Sequence, residues 1–166
     1  MKFLISLALL VAATIATPIA RAPNEFTLKT SDTSHSEHND LYVYAYHTGA
    51  ALNDAVLSKN ASIATSFFLN GTRAQADLQT DFPWGIYIPG DTNYAEWEQV
   101  QINVGNGVSG FSVKDGSLQG SDEQGFGGWL VCDWYHNAPQ LFFLRPSHKP
   151  TLPSSCSTVE LKTSSK

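Results

Sequence analysis

A threefold recurrence of short strand-like segments most constrains what this chain of 166 residues can fold into. A segment led by phenylalanine begins at Phe26, Phe68 and Phe111, so the starts lie 42 and 43 residues apart. Each is followed by a second segment, which begins at Leu41, Trp84 and Trp129. A third segment then closes each unit, over 51–57, 98–104 and 139–144. Self-similarity at a fixed period is typical of folds that repeat one supersecondary unit.

The segments themselves have the pattern of strands and turns rather than of helices. The segment 41–49 alternates apolar residues with tyrosines, and 98–104 alternates apolar with polar residues. Asn-Gly at 70–71 and Asp-Gly at 115–116 are strong hairpin signals, and the polar segment 31–40 is typical of a loop. The sequence therefore predicts an all-β, single-domain, β-trefoil-like barrel of three units of about 43 residues, with an antiparallel β-sandwich as the alternative.

The N-terminal segment has the pattern of a secretory signal peptide. Lys2 provides a positive start, an apolar run follows, and small residues precede Ala16. We predict a signal peptide over 1–16, with a cut after Ala20 as the alternative. A linker over 17–25, a domain over 26–163 and a tail over 164–166 complete the predicted organisation. We expect the mature protein to be extracellular, in solution or in the cell wall, and to have no membrane span.

Secretion changes the interpretation of the cysteines and of two asparagines. Cys132 and Cys156 are an even pair in an oxidising compartment, so we predict a disulfide between them. Closing the loop between them would contribute roughly 3 kcal/mol. Asn60 and Asn70 each begin an Asn-X-Ser/Thr triplet, which predicts N-glycosylation on surface loops.

Composition and several motifs argue against some functions. Charged residues make up 15% of the chain, the net charge is −5, and Lys and Arg form no cluster, so nucleic acid is a poor partner candidate. The segment 105–110 (GNGVSG) matches a nucleotide-binding pattern, but a strand follows it, so we interpret it as a glycine-rich turn. His35 and His38, in a polar loop, are interpreted as solvated rather than as metal ligands. No metal and no cofactor is predicted.

Carboxylates are present, but their positions argue against catalysis. Hydrolysis of a glycosidic bond needs two carboxylates in a cleft, one of them with a raised pKa. The acidic residues considered for this role sit mostly in turns, where acids are usually solvated; they are Asp91, Glu96, Glu98, Asp122, Glu123 and Asp133. No Ser-His-Asp or Cys-His motif supports a nucleophile. We therefore predict that the protein is not an enzyme.

Aromatic side chains at turns are the best candidates for ligand contact. A flat ring on a rigid hairpin can stack on the apolar face of a sugar while nearby amides bind its hydroxyls. The candidate contact residues are Trp134, Tyr135, His136, Asn137, Gln140, Tyr94 and Trp97. Trp84 and Trp129 open their strands at equivalent positions, and we assign both to the core.

Two resemblances point to fungal extracellular proteins. The segment 110–144 (GFSVKDGSLQGSDEQGFGGWLVCDWYHNAPQLFFL), with the later CSTVEL, resembles the C-terminal domain of PIR-type cell-wall mannoproteins, and also looks like phialide-type secreted cell-wall proteins. The segments LYVYAYHTGAALNDAVL, FFLNGT, DFPWG and GDTNYAEWE are similar to a family of small secreted fungal proteins of uncharacterised function. The resemblance implies an extracellular or wall-associated protein, and it implies no catalytic residue.

These observations favour a secreted, non-enzymatic glycoprotein with a structural or glycan-binding role. Its expected partner is a cell-wall polysaccharide or an extracellular protein. The first alternative is a β-trefoil protease inhibitor that presents the loop 90–97 or the proline-bearing loop 145–153. A small glycosidase-like enzyme is the second alternative.

Overall fold

A computed structural model describes residues 24–90, 96–134, 138–145 and 151–165. The predicted signal peptide, its cut site and the linker before residue 24 lie outside the described residues. Within them the regular structure consists of strands and of single-turn 3₁₀ helices at Ser36–His38, Ala61–Ile63 and Asp122–Gln124. The strands are β1 (Phe26–Ser31), β2 (Tyr42–Gly49), β3 (Leu52–Ser58), β4 (Ser66–Asn70), β5 (Arg73–Asp77), β6 (Trp84–Tyr87), β7 (Trp97–Gln99), β8 (Gln101–Val104), β9 (Ser112–Lys114), β10 (Ser117–Gln119), β11 (Gly128–Asp133), β12 (Pro139–Leu144) and β13 (Cys156–Ser165).

Nine of these strands close into an antiparallel barrel. The ring runs β1-β4-β5-β6-β8-β3-β12-β11-β13 and returns to β1, where Phe26 pairs with Ser165 and Ser31 pairs with Glu160. Outside the ring, β2, β7 and β10 pair with ring strands, and β9 pairs with β10. Closure removes the unpaired strand edges that would otherwise invite aggregation. The all-β, barrel-type prediction is confirmed.

Three paired segments correspond to the second and third segments of the sequence recurrence. They are β2–β3, β6–β8 and β11–β12. The strand pairs β1–β4, β4–β5, β9–β10, β10–β13 and β13–β1 complete the pairing. Phe111 N, just before β9, donates to Thr72 O, just before β5, over 2.8 Å. This pairing is compatible with three units, and the threefold relation between them stays a prediction.

Both hairpins that the turn residues predict are present. Asn70 pairs with Arg73, and Gly71 between them has φ 62°. Asp115 and Gly116 have φ 51° and 74° and connect β9 to β10. Two consecutive residues at positive φ give the turn whose twist matches that of the flanking strands, which explains the Asp-Gly preference.

The glycine-rich segment 105–110 is an irregular loop that connects β8 to β9, as predicted. Gly107 has φ +72°, and its backbone lies against Gly85 of β6. A Cβ atom added to Gly85 would lie 2.2 Å from Gly107 N, so only glycine allows this approach. The glycines serve close backbone packing, and no helix follows the loop.

The interior is divided into a main core and a second apolar cluster. Trp84 and Trp129 belong to the main core, as predicted, and are 9% and 2% exposed. The second cluster surrounds the predicted disulfide, which the structure contains between Cys132 and Cys156 (S–S 2.08 Å). Its buried members are Trp97, Leu130, Cys132, Phe142, Leu144 and Cys156.

One part of the polar loop 31–40 differs from the prediction. His38 is 1% exposed, so its interpretation as a solvated side chain is wrong. Thr30 Oγ1 donates to His38 O over 2.6 Å, and His38 Nδ1 lies 2.6 Å from Ser157 Oγ. These hydrogen bonds satisfy His38 O and His38 Nδ1, and they hold the ring against β13.

Candidate functional site

An open cleft of about 610 Å³ lies between the hairpin β2–β3 and the hairpin β11–β12. Its wall combines aromatic rings with a few polar groups, a composition typical of small-molecule sites. The residues that line it are Tyr44, Tyr46, His47, Thr48, Asp54, Val56, Gln99, Trp134, Ala138 and Gln140.

Strand register brings the polar and aromatic residues of the cleft to one face. Tyr46 pairs with Asp54, and Tyr44 pairs with Val56, so these side chains point to the same side of β2 and β3. Val56 in turn pairs with Gln140 of β12. The face is therefore continuous from the first hairpin to the third, although Asp54 and Gln140 are 86 residues apart in sequence.

Trp134 lies at the rim of the cleft, immediately after β11. Its side chain is 39% exposed, and its ring meets the edge of the Phe142 ring at 5.6 Å and 72°. Trp134 N donates to Ala138 O over 3.0 Å, which closes the turn between β11 and β12. The indole therefore packs on Phe142 while more than a third of its surface stays exposed to solvent.

The carboxylate of Asp54 determines the electrostatics of the cleft. Partial burial raises the pKa of the Asp54 carboxyl above its usual range, and a long hydrogen bond from Gln140 Nε2 (3.5 Å) offsets part of this effect. Burial also raises the pKa of the Tyr44 hydroxyl, with a smaller contribution from Tyr46. Among the described residues that line the cleft there is no Lys or Arg.

The predicted contact residues do not all belong to this cleft. Trp134 and Gln140 line it together. Trp97 does not, because β7 buries it (9% exposed) in the apolar cluster around the disulfide. The remaining candidates, Tyr94, Tyr135, His136 and Asn137, lie outside the described residues.

Tyr44, Tyr46 and Asp54 line the cleft and were not among the predicted contact residues. The signal was present in part, because the alternation in 41–49 already places the tyrosines on one face of a strand. The residue that makes this face a candidate ligand site is Asp54, which pairs with Tyr46 of the adjacent strand. That pairing depends on the β2–β3 register, which the turn at 49–51 determines.

The two alternative functions can be compared with this geometry. A glycosidase needs a pair of carboxylates, and Asp54 is the one carboxylate among the described residues that line the cleft. Of the acids considered above, Glu98 is buried in β7, and Asp122 and Glu123 lie exposed in a 3₁₀ turn. Much of the two loops suggested for protease inhibition, residues 91–95 and 146–150, lies outside the described residues.

A second polar cluster joins the loop 31–40 to the disulfide. His38 Nδ1 contacts Ser157 Oγ, and His38 Nε2 lies 3.5 Å from Asp133 Oδ1. Asp133 and Ser157 each follow one of the bonded cysteines. The residue types are those of a catalytic triad, but Ser157 is 3% exposed and accepts a hydrogen bond from Thr33 Oγ1 (2.7 Å). A buried, bonded hydroxyl is inaccessible to an acyl substrate, so the cluster anchors the loop.

The remaining site predictions concern glycans and metals. Asn60 and Asn70 are both exposed, as acceptors must be, and their glycosylation stays a prediction. Asn60 Oδ1 accepts hydrogen bonds from the backbone and the hydroxyl of Ser62. Among the described residues, no group of three or more His, Cys, Asp and Glu side chains could hold a metal ion. In the described parts of the chain, no helix has the length and apolar character needed to cross a membrane.

Comparison with known proteins identifies a family and no characterised relative. A family model described as a domain of unknown function (DUF7907) matches residues 23–165, which include every strand of the barrel. The comparisons with curated proteins and with solved structures found no match.

Proposed function

We propose that this protein, which belongs to the DUF7907 family, is a secreted glycan-binding protein that holds a sugar in the cleft between its first and third hairpins. The proposal assigns no catalytic step to the protein. Its partner is a cell-wall polysaccharide, and the bound unit stacks on Trp134.

The exposed ring of Trp134 at the mouth of an aromatic cleft carries the proposal. A pyranose presents an apolar C–H face and a rim of hydroxyls, and it therefore needs a flat ring beside hydrogen-bonding groups. Trp134 supplies the ring, and Phe142 holds it from behind. Gln140 and Asp54 supply an amide and a carboxylate on the floor of the same cleft.

The cleft is built on paired strands, which suits binding. Tyr44, Tyr46 and Asp54 lie in the long β2–β3 hairpin, and Gln140 lies in β12. Side chains on paired strands lose little further freedom when a ligand binds, so less of the binding free energy is spent on ordering. A cleft on paired strands whose described lining residues include one carboxylate favours binding over hydrolysis.

Extracellular localisation is part of the proposal. The signal-like segment 1–16 supports it, and so does the disulfide Cys132–Cys156, because disulfides persist in oxidising compartments. Association with the cell wall is supported by the resemblance to wall proteins and by the two exposed acceptor asparagines, Asn60 and Asn70.

Pull-down on insoluble polysaccharides tests the proposal. We expect the protein to be retained on at least one of chitin, β-glucan and mannan. Trp134→Ala should lower retention about fivefold, because loss of a stacked aromatic typically removes about 1 kcal/mol. The matched control is Phe82→Ala. Phe82 is also exposed (48%) and also packs on one ring, that of Trp84, but it does not line the cleft.

Two results would contradict the proposal. One is no retention of the unaltered protein on any of the three polysaccharides. The other is equal retention of Trp134→Ala and Phe82→Ala, which would mean that any binding occurs elsewhere on the surface. Circular dichroism of both variants shows whether the barrel is intact in each.

A further inference from the structure

The cleft combines aromatic rings with a negative charge, and the described residues that line it include no Lys or Arg. Tyr44, Tyr46 and Trp134 supply the rings, and Asp54 supplies the charge. We propose that the unit bound in this cleft is a cationic amino sugar, the glucosamine of deacetylated chitin, with its ammonium group at Asp54. This inference rests on the proposed glycan-binding function and specifies its ligand class.

The position of Asp54 is suited to an ammonium group. It lies directly across from Tyr46 in the β2–β3 register, and the Tyr46 ring meets the Tyr44 ring edge to face at 6.3 Å and 88°. A cation that contacts the carboxylate therefore lies beside tyrosine rings. The negative faces of aromatic rings attract cations, and combining such rings with a carboxylate strengthens the attraction.

Two carboxylates outside the cleft, Asp40 and Glu160, differ from Asp54 in having a lysine partner. Asp40 Oδ1 lies 2.8 Å from Lys29 Nζ, and Glu160 is paired with Lys162. In both pairs the lysine lowers the pKa of the carboxyl. Burial instead raises the pKa of the Asp54 carboxyl, which means that folding leaves its charge partly desolvated.

A charge that is partly desolvated gains most from a cation supplied by a ligand. The titratable groups that line the cleft beside Asp54 are Tyr44, Tyr46 and His47, and none of them is an obligate cation. The neighbouring Gln140 donates only a long hydrogen bond. An ammonium group on the ligand would therefore give the Asp54 carboxylate a cationic partner that the described lining residues do not supply.

The same geometry disfavours the acetylated sugar. An N-acetyl group replaces the ammonium group by a neutral amide with a methyl group, so the attraction to Asp54 is lost. Stacking on Trp134 is common to both sugars, because it depends on the C–H face of the ring and not on the substituent. The site should therefore bind both sugars and prefer the charged one.

Calorimetric titration of the full chain with soluble oligomers tests this inference. The probes are a glucosamine oligomer and an N-acetylglucosamine oligomer of equal length, at a pH below the pKa of the amine and above that of Asp54, so that both groups are charged. We expect the unaltered protein to bind the glucosamine oligomer about tenfold more tightly, in line with a charge-assisted contact. Added salt should weaken that binding and leave binding of the acetylated oligomer nearly unchanged.

The decisive variant is Asp54→Asn, which keeps the size of the side chain and removes its charge. It should abolish the tenfold preference, because binding of the glucosamine oligomer should weaken about tenfold more than binding of the acetylated oligomer. The matched control is Glu123→Gln, which changes the net charge equally at an exposed site outside the cleft and should keep the preference.

The outcomes separate this inference from the proposed function. If the unaltered protein binds both oligomers equally, or if Asp54→Asn keeps the preference, the amino-sugar assignment is overturned and glycan binding stands. If neither oligomer binds and no wall polysaccharide is retained, both are overturned. If Glu123→Gln abolishes the preference as fully as Asp54→Asn, the effect is one of overall charge and the assignment to Asp54 is overturned.

Discussion

Trp129 and Trp134 lie five residues apart in one segment of the chain, yet they occupy opposite kinds of environment. Trp129 is 2% exposed, its Nε1–H donates to Leu118 O over 2.7 Å, and its ring stacks on Phe111 at 6.2 Å. Trp134 is 39% exposed and borders a cleft. Residue type therefore does not distinguish the core from the cleft in this segment. The elements that pack against each tryptophan determine which indole is covered.

The largest expected difference concerns stability. Trp129→Ala removes a fully buried ring and leaves Leu118 O without its donor, so we expect the free energy of unfolding to fall by about 3–5 kcal/mol. Trp134→Ala should lower it by about 1 kcal/mol or less, because much of that ring is already in water. Urea unfolding of both variants measures the two values. If the two substitutions lowered the free energy of unfolding equally, the contrast between a buried Trp129 and an exposed Trp134 would be wrong.

The disulfide provides the next largest effect. It joins β11 to β13 two residues before Trp134, with a sequence separation of 24. Replacing both cysteines by alanine should lower the free energy of unfolding by about 3 kcal/mol, since the unfolded chain is then no longer constrained. Unfolding with and without a reductant measures the effect, and the double variant should not respond to the reductant. A reductant that leaves the unfolding midpoint of the unaltered protein unchanged would contradict the expectation.

The smallest expected effect on stability is that of Asp54→Asn. Unlike the substitutions above, it should raise the stability of the folded protein. Because burial raises the pKa of the Asp54 carboxyl, the folded state retains this proton at pH values where the unfolded state has released it. The charged group therefore destabilises the folded protein at neutral pH, and this cost disappears as the pH falls through the folded-state pKa. We expect Asp54→Asn to melt at a higher temperature than the unaltered protein at pH 7.

The difference in melting temperature should shrink as the pH falls toward the usual range of aspartate, about 4. Thermal melts at several pH values measure it, with Glu123→Gln as the control at an exposed position. A variant that is less stable than the unaltered protein at neutral pH would show that the charge of Asp54 stabilises the fold. A site that is costly for stability and open to a ligand is typical of function.

The features predicted correctly are those that depend on residues close together in the sequence. The turns at Gly71 and at Asp115–Gly116 require positive φ, which a few residue types provide, so the two hairpins could be located in advance. The alternation of apolar residues predicted the strands, and the aromatic residues that open them predicted the core position of Trp129. The cysteine pair was identified from the chemistry of the expected compartment.

Sequence reasoning failed where burial depends on partners far away in the chain. His38 lies in a polar segment, and its burial follows from Ser157, which is 119 residues further on. Trp97 lies beside a turn in sequence, and the pairing of β7 with β12 covers it. The residues around His38 and Trp97 in the sequence include neither Ser157 nor β12, so their local patterns could not predict this burial.

Strand formation, the position of the tightest turns and the cysteine pair are evident from the amino-acid sequence, because they follow from backbone conformation and from thiol chemistry. That Tyr46, Asp54, Gln140 and Trp134 share one cleft is evident only in the folded chain. The physical reason is register: the pairing of β2 with β3 and of β3 with β12 determines which side chains share a face, and a shift by one residue would have turned Asp54 away.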